Sequence, residues 1–458
     1  MLLSWVTSSS LFWSVPAGVL FGVYSIVYQL CWSSLRRFPG PKLWAISRIP
    51  SQLSVLRGHT HLDVTALHHR YGPVVRISPN ELAFNTTQAF RDIYGARPGG
   101  CFAKDRSHYL PPANGVDHLV CAVDNAVHAR QRRLLAHAFS ERALRDQESL
   151  VVGYVDTLIN KLRNEITKQD SPHLDIKNWM NYTTFDITGD LMFGESFDCL
   201  KDSQLHPWIK LIFSSIKALS INGVVHQFPL LSALLDALVP HEVKRKAQEH
   251  FNLAAQKVDW RLATNMARTD FMSAILQNGL SETNGQYRDG ERIMSRAEIH
   301  SNAFMSVLFL SFPFLSFPFL SFPFLSFPFL SSSSGLLTYF TAISLIVAGS
   351  ETAATLLTGC IYYLSANPAV MSRLVTEIRS AFAKDSDISF RTIASLPYLT
   401  AVIEESLRLY PPFVTSLARI VPAGGAMIDD HFVPEGVCTA PAVYKDLISN
   451  SFVSDSEL

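Results

Sequence analysis

An acidic motif interrupts the apolar run SLIVAGSETAATLLTG at residues 344–359. Here Glu351 and Thr352 follow the small residues Ala348, Gly349 and Ser350. A buried glutamate costs free energy unless it is paired or solvated, so its place in an apolar helix is unusual. Gly349 lets a ligand approach the backbone, and a threonine hydroxyl can loosen the helical hydrogen-bond ladder. The motif indicates a helix segment that faces a ligand, and a helix start or a buried structural acid is the alternative.

A second charged motif, ESLRLYPP, follows about one helix later at residues 405–412. Glu405 and Arg408 are spaced i, i+3, so they share a helix face and can form an ion pair. An isolated pair of this kind is usually a solvated surface pair. The position of this pair, after the first motif and before a Pro-Pro stop, favours a specific role over that of a solvated surface pair. Three more basic residues belong to the set, namely His128 and Arg132 in HARQR and Arg419 in SLARIVPAGG.

Composition limits the classes of protein that can carry these motifs. The 458 residues include 39 basic and 39 acidic side chains, and this zero net charge excludes a nucleic-acid binder that works by bulk electrostatics. The 48% apolar content excludes a disordered chain. Six cysteines without CxxC spacing argue against a zinc site or a disulfide scaffold. Glycine-rich phosphate loops, HExxH and GxSxG do not occur in the sequence, which excludes the corresponding enzyme classes.

Hydrophobic periodicity predicts a mostly α-helical body with one short β region near its start. Residues 71–84, YGPVVRISPNELAF, alternate around Val75 and Ile77 and predict a hairpin with its turn at Ser78-Pro79-Asn80. Apolar residues at i, i+3 and i+4 predict helices, which lie within residues 128–140, 151–166, 177–194 and 242–263. These helices must position the charged motifs.

Only 17% of the residues are charged, against about 25% in ordinary globular proteins, and two uncharged stretches cause much of the deficit. After an N-terminal segment at 1–10, residues 11–32 are long enough to cross a bilayer core, which needs about 20 residues of helix. Arg36, Arg37 and Lys42 follow, so the positive-inside rule predicts a transmembrane anchor with a cytosolic body. A cleaved secretory signal is the alternative. Residues 33–50 form a Pro-rich hinge.

The second uncharged stretch contains SFPFL four times at residues 311–330. A period of five suits neither helix nor strand, and each repeated proline removes a backbone donor. Ser, Phe, Pro and Leu can all be encoded by pyrimidines alone, as in the tract near the end of an intron. We therefore interpret residues 304–342 as a low-complexity insert from a retained intron. A second membrane segment is the alternative.

In their order and spacing, these motifs resemble those of the cytochrome P450 family of haem-thiolate monooxygenases, in its membrane-bound fungal biosynthetic form. The resemblance covers nearly the whole chain. It includes the anchor and its Pro-Gly-Pro hinge, H-x-x-x-R at 128–132, AGxET at 348–352, ExxR at 405–408, and residues 416–436. It implies a cytochrome P450 fold, mostly α with a small β region, over residues 51–458 behind an N-terminal transmembrane helix.

The resemblance also implies roles for individual residues. Glu351 and Thr352 would relay protons for oxygen activation, and Gly349 would border the haem. Cationic side chains are the expected partners of the haem propionates, which gives this role to His128, Arg132 and Arg419. Glu405 and Arg408 would be a structural pair. The substrate pocket would be lined by Phe413, Val414 and Thr415.

The sequence departs from the family at the iron ligand. In the family a cysteine thiolate from an FxxGxRxCxG loop binds the iron, and this sequence lacks that motif. Cys438 has neither the Gly-rich turn nor the basic residue, so we assign no metal ligand in the chain. We expect a fold that is incomplete at its C-terminus, with residues 437–458 aberrant. The Glu405–Arg408 pair would then lie in the interior without its further partners.

The function implied by the resemblance is the oxidation, as by hydroxylation, of a lipophilic small molecule in fungal secondary metabolism. The cofactor would be haem, with electrons from NADPH through a separate flavoprotein reductase. We expect a single-pass protein of the endoplasmic reticulum membrane with its catalytic domain in the cytosol, and no nucleic-acid partner. One alternative is an inactive truncated or mis-spliced relic without the thiolate. A membrane transport or adaptor protein is the other.

Overall fold

Helices dominate the architecture, as the periodicity predicts. The computed structural model describes residues 16, 19–95, 102–109, 115–136, 140–168, 173–207, 209–210, 221, 223–228, 252, 255–264, 273, 280–281, 294–306, 337–412 and 417–441. The helices are α1 (Lys42–Ile46), α2 (Ile49–Leu56), α3 (Thr60–Tyr71), α4 (Thr87–Tyr94), α5 (Asn125–Ala136), α6 (Glu141–Thr167), α7 (Ile176–Phe193), α8 (Cys199–Asp202), α9 (Arg296–Ser306), α10 (Leu337–Ala366), α11 (Pro368–Ala381), α12 (Phe390–Ile393) and α13 (Pro397–Leu409). A π-helical turn spans Tyr28–Trp32 and a 3-10 turn spans Asp385–Asp387.

The strands are short. They are β1 (Val74–Ser78), β2 (Glu81–Phe84), β3 (Ala103–Lys104), β4 (Leu280–Ser281), β5 (Met294–Ser295), β6 (Arg419–Ile420), β7 (Ala426–Ile428), β8 (His431–Val433) and β9 (Cys438–Pro441). The chain divides into two compact units. The first, which we call the sheet unit, comprises Met1–Asp105 and Val414–Leu458, and the second, the helical unit, comprises Arg106–Phe413.

The sheet unit is built on a five-stranded sheet in the order β1-β2-β9-β6-β3. The predicted hairpin is confirmed, since β1 and β2 pair antiparallel with Val74 opposite Phe84. The expectation that the β structure lies only near the start of the chain is wrong. Strand β9 pairs parallel to β2 and antiparallel to β6, so residues 419–420 and 438–441 complete the same sheet. Strands this short carry little periodicity, and the pairing partners are distant in sequence.

A second hairpin of the sheet unit is formed by β7 and β8, with Ile428 opposite His431. Asp429 and Asp430 form its turn with φ of 47° and 61°. A two-residue hairpin turn of this hand requires a positive φ at both positions, and aspartate tolerates that conformation better than most residues.

Arg76 of β1 holds both the end of the predicted anchor and the Pro-rich hinge. Its guanidinium is buried and donates to the carbonyl and side-chain oxygens of Gln29 at 3.0 and 2.5 Å, and to the Pro79 carbonyl at 2.7 Å. The Arg76 backbone N–H donates to the Pro39 carbonyl at 2.8 Å. A Cβ atom at Gly40 would come within 2.5 Å of the Arg76 carbonyl oxygen, so this close approach requires glycine.

The N-terminal helix of the sheet unit includes residues 19–27 and runs into the π-helical turn. Most of its apolar side chains are exposed. In the part of the chain that the structure describes, no helix combines the length and apolar character needed to cross a membrane. Residues 11–15 and 17–18 of the predicted span lie outside the described residues.

Three of the four periodic segments in the helical unit form helices, and the helix that contains 151–166 begins ten residues earlier, at Glu141. The segment at 128–140 becomes α5, which begins earlier, at Asn125, and ends at Ala136. Ser140 instead caps α6, where its Oγ accepts a hydrogen bond from the Ala143 backbone N–H at 3.2 Å. The segments at 151–166 and 177–194 lie in α6 and α7. Of the segment at 242–263, residues 255–263 are helical and most of the remainder lies outside the described residues.

Candidate functional site

Helix α10 carries the acidic motif and lies against α7. A buried cluster holds the two helices together, and Ala354 of α10 belongs to it. Its other buried members come from three helices, namely Leu158, Trp179, Met180 and Leu200. Within the motif, the buried Ser350 hydroxyl donates to Thr188 Oγ1 of α7 at 3.2 Å. The apolar periodicity of α7 and α10 thus positions the motif against a packed neighbour.

Glu351 is half-buried, and its Oε2 atom is fully buried with no hydrogen-bond partner among the residues described. Burial raises the pKa of this carboxyl above its ordinary value of 4.5, and the positive charge of Lys177 on α7 partly opposes the shift. Thr352 is half-buried at the next position, and Gly349 lies in the helical backbone. The site can therefore hold a proton on a carboxyl oxygen that is turned away from water.

Replacing Glu351 with glutamine should raise stability at neutral and alkaline pH and leave acid stability nearly unchanged. Because the folded pKa is raised, the folded state binds the proton more tightly than the unfolded chain. Wild-type stability should therefore fall as pH rises from the ordinary value through the raised one. Urea unfolding of both proteins at pH values from about 4 to about 8, an interval wide enough to include the shifted titration of Glu351, measures the difference in stability. An equal pH profile for the two proteins would show that the carboxyl titrates normally.

His128 and Arg132 lie one turn apart on α5, as their spacing predicts. Both side chains are half-buried. Partial burial lowers the pKa of the Arg132 guanidinium, because the charge is partly withdrawn from water. This face of α5, defined by His128 and Arg132, has N–H donors suited to a carboxylate ligand, and the Arg132 guanidinium adds a positive charge.

Glu405 and Arg408 form a bidentate ion pair on α13. Arg408 Nε donates to Glu405 Oε2 and Nη2 to Oε1, both at 2.6 Å. Hydrogen bonding to Glu405 raises the pKa of the guanidinium. The predicted pair therefore forms, but the expectation that it lies in the interior is wrong. The Glu405 side chain is 51% exposed and that of Arg408 is 22% exposed, so water solvates the carboxylate.

Arg419 lies in β6 of the sheet unit and is buried. Its Nη1 donates to the carbonyls of Leu417 and Ala418 at 3.3 and 2.9 Å, and its guanidinium stacks over the Tyr94 ring with 5.2 Å to the centroid. His128 and Arg132 belong to the helical unit, so the three predicted propionate contacts are divided between the two units. Phe413, Val414 and Thr415, the predicted pocket residues, lie outside the described residues.

Cys438 is a buried residue of β9, with Glu81 of β2 opposite it in the ladder. Its pKa is raised well above the ordinary value, first by burial and then by the negative charges of Glu81 and Asp105, while Arg48 opposes the shift. An iron-ligating cysteine must be a thiolate. The environment of Cys438 favours the neutral thiol.

One lysine and one ion pair in the helical unit were not predicted from the sequence. Lys177 is exposed and weakens the pKa shift of Glu351, yet it lies 174 residues upstream of it. Arg130 and Glu298 form a buried bidentate ion pair between α5 and α9. The signal available for this pair was weak. Glu298 is the last charge before the second uncharged stretch, and Arg130 lies two positions from each member of the His128/Arg132 pair.

Comparison with known proteins decides what these features belong to. The sequence model of the family described as Cytochrome P450 matches residues 38–305 and 339–445. The chain belongs to the cytochrome P450 family. Its members are haem-dependent monooxygenases, in keeping with the motifs from which the resemblance was drawn. The match leaves out residues 306–338, which lie within the stretch interpreted as an insert.

Individual cytochrome P450 relatives come from fungi. The chain is 38% identical to the cytochrome P450 monooxygenase astJ of Aspergillus oryzae over 93% of the chain and 76% of the relative. It is 35% identical to averantin hydroxylase of Dothistroma septosporum, over 94% of the chain and 71% of the relative. It is 36% identical to trichothecene C-15 hydroxylase of Fusarium sporotrichioides, over 91% of the chain and 75% of the relative.

The described residues fit one part of the haem that a cytochrome P450 binds and do not fit another. The face of α5 formed by His128 and Arg132 has donors of the kind that bind porphyrin carboxylates. The iron needs a thiolate, and Cys438 is held as a thiol within a strand. Cys438 therefore does not fit as the ligand of the iron.

Proposed function

We propose that this cytochrome P450 oxidises, as by hydroxylation, a lipophilic small molecule of fungal secondary metabolism. The observation that carries the proposal is Glu351, a carboxyl with a buried oxygen that lacks a hydrogen-bond partner among the described residues. Burial favours the protonated form of this group. Glu351 would hold a proton and pass it on, and the neighbouring Thr352 hydroxyl would take part in that transfer.

The cofactor, the electron donor and the roles of the other site residues are inferred from the cytochrome P450 family. Haem would supply the oxygen chemistry when bound, with electrons from NADPH through a separate flavoprotein reductase. His128, Arg132 and Arg419 would bind carboxylates of the porphyrin, and Gly349 would allow close approach of the cofactor. Phe413, Val414 and Thr415 would contact the substrate.

We also propose a single-pass location in the endoplasmic reticulum membrane, with the catalytic domain in the cytosol. The uncharged residues 11–32 support an anchor, and the basic residues that follow them support the orientation. The exposed apolar side chains of residues 19–32 are consistent with contact with lipid.

The experiment is the absorption spectrum of the reduced, carbon monoxide-treated protein after production in a host that supplies haem. The proposed function requires the Soret band characteristic of thiolate ligation, and a preparation without that band would contradict it. A second candidate, an inactive relic without the thiolate ligand, is favoured by the thiol environment of Cys438. That candidate requires the band to be absent.

We further propose that residues 304–342 are encoded by a retained intron. The family match resumes at residue 339 after ending at 305, which supports the proposal. Sequencing of full-length transcripts should show mature messages that lack the codons of the SFPFL repeats. If every mature message contained those codons, the result would contradict the proposal and would favour a translated apolar segment.

A further inference from the structure

A buried polar network joins α5 to α9 in the helical unit. Arg130 Nη1 donates to Glu298 Oε2 at 3.1 Å, and Nη2 donates to Glu298 Oε1. Gln131 Nε2 donates to the same carboxylate at 3.4 Å, and Asn302 Nδ2 donates to Gln131 Oε1 at 3.2 Å. Arg130 is 8% exposed, Glu298 5%, and Gln131 and Asn302 are fully buried. We call these four residues the α5–α9 network.

The network also reaches the loop before α5. Gln131 Nε2 donates to the Asp117 carbonyl at 2.8 Å, and Asn302 Oδ1 accepts from the Leu119 backbone N–H at 3.1 Å. The Ser295 backbone N–H donates to Glu298 Oε2 at 3.0 Å, so the carboxylate is held from its own side as well. Fixed partners on three segments leave α5 little freedom to rotate about its axis.

The position of Arg130 on α5 determines which side chains a rotation of the helix would move. An α-helix turns about 100° per residue, so Arg130 lies about 200° from both His128 and Arg132 on α5. Arg130 therefore holds α5 from the face opposite His128 and Arg132, while Gln131 holds it from the side. A rotation of α5 that breaks the Arg130–Glu298 contact would redirect His128 and Arg132 by the same angle.

A buried ion pair contributes little net stability compared with apolar side chains of similar volume, because both charges must be desolvated. The pair instead restrains the two helices, since a bidentate arginine–carboxylate contact fixes both the distance between the two side chains and their relative orientation. We propose that the α5–α9 network positions His128 and Arg132 to bind the carboxylates of the porphyrin. This inference rests on the proposed function, because it assumes that a porphyrin is the ligand of that face.

The test uses iron-free protoporphyrin and its dimethyl ester as probes, with the full chain and fluorescence titration. The probes differ in their free carboxylates, and neither needs an iron ligand. Wild type should bind the diacid more tightly than the ester, and the double variant His128→Ala, Arg132→Ala should lose most of that preference. Arg130→Lys keeps the charge but loses the bidentate contact, so its preference for the diacid should fall about tenfold, as for one lost charge-assisted hydrogen bond.

Asp186→Asn is the matched control, because it weakens a buried carboxylate of the same unit that accepts hydrogen bonds from Cys199 and Leu200 of α8 rather than from α5. Its preference for the diacid should stay at the wild-type level. Asn302→Ala provides a milder change to the network should Arg130→Lys fail to fold, and it should weaken the preference in the same direction.

The outcomes separate the inference from the function on which it rests. A wild type that does not distinguish the two probes would contradict carboxylate binding by α5, and with it the proposed function at this site. A wild type that distinguishes them, together with network variants that match the Asp186→Asn control, would overturn the positioning role alone. Weaker preference in the network variants at unchanged ester affinity supports it.

Discussion

Replacing Glu298 with alanine should lower the free energy of unfolding by about 3–5 kcal/mol, the usual cost of leaving a buried charge without its partner. Arg130 is 8% exposed and would lose its bidentate acceptor in the interior of the helical unit. Chemical denaturation of the full chain measures the loss. Removal of both charges in Arg130→Met, Glu298→Leu should cost less than removal of Glu298 alone, because neither charge is then left buried without its partner.

The control for this prediction is Arg145→Ala on α6. Arg145 pairs with Glu141 at 3.2 Å, but the two side chains are 53% and 85% exposed. Exposed pairs of this kind contribute about 0–1 kcal/mol, so the control should be nearly neutral. If Glu298→Ala were as mild as the control, the carboxylate would be solvated rather than buried.

Replacing Asp186 with alanine should have the second largest effect, a loss of about 3 kcal/mol from two buried donors left without an acceptor. Asp186 is 1% exposed, and its carboxylate accepts the backbone N–H groups of Cys199 at 2.9 Å and Leu200 at 2.7 Å. These bonds fix the start of α8 against α7. Burial raises the pKa of Asp186, and the two backbone hydrogen bonds oppose that shift.

Asp175→Ala on the same helix is the matched control for Asp186. Asp175 caps the start of α7, where its Oδ1 accepts from the Asn178 backbone N–H at 3.2 Å, and its side chain is exposed. Loss of an exposed cap costs about 1 kcal/mol. Thermal or urea unfolding that shows equal losses for the two variants would contradict the structural importance of the buried contacts.

Local sequence signals predicted those parts of the fold that depend on local physics. The hairpin at β1 and β2 could be predicted because residues 71–84 alternate and contain a Ser-Pro-Asn turn. The helices α5, α6 and α7 could be predicted from the spacing of their apolar residues. Spacing also placed Glu405 and Arg408 on one helix face, where they pair.

Contacts between distant segments could not be predicted in this way. The parallel pairing of β9 with β2 joins residues more than 350 positions apart, and four-residue strands give almost no periodicity. Arg130 and Glu298 are separated by 168 residues, and nothing in either local pattern identifies the other. The exposure of Glu405 likewise depends on which segments cover α13, which a single helix pattern does not specify.

The candidate site was predicted mainly from the order of the motifs along the sequence. The spacing of Glu351 and Thr352 identified the segment, but the lone buried oxygen of Glu351 became evident only from the packing of α10. Lys177, the charge that opposes the pKa shift of Glu351, lies on α7 and had no motif of its own. Residues that tune a site through packing carry no signature in their own sequence neighbourhood.

The most direct test of the account is the titration of Glu351 itself. Infrared difference spectra between wild type and Glu351→Gln, recorded as a function of pH, isolate the stretching band of this one protonated carboxyl. We predict that the band persists above the ordinary glutamate value of 4.5, since burial raises the pKa of the group. A Lys177→Met variant should extend the band to still higher pH, because it removes the opposing positive charge. Loss of the band at or below 4.5 in wild type would contradict the account, because Glu351 would then hold no proton to transfer.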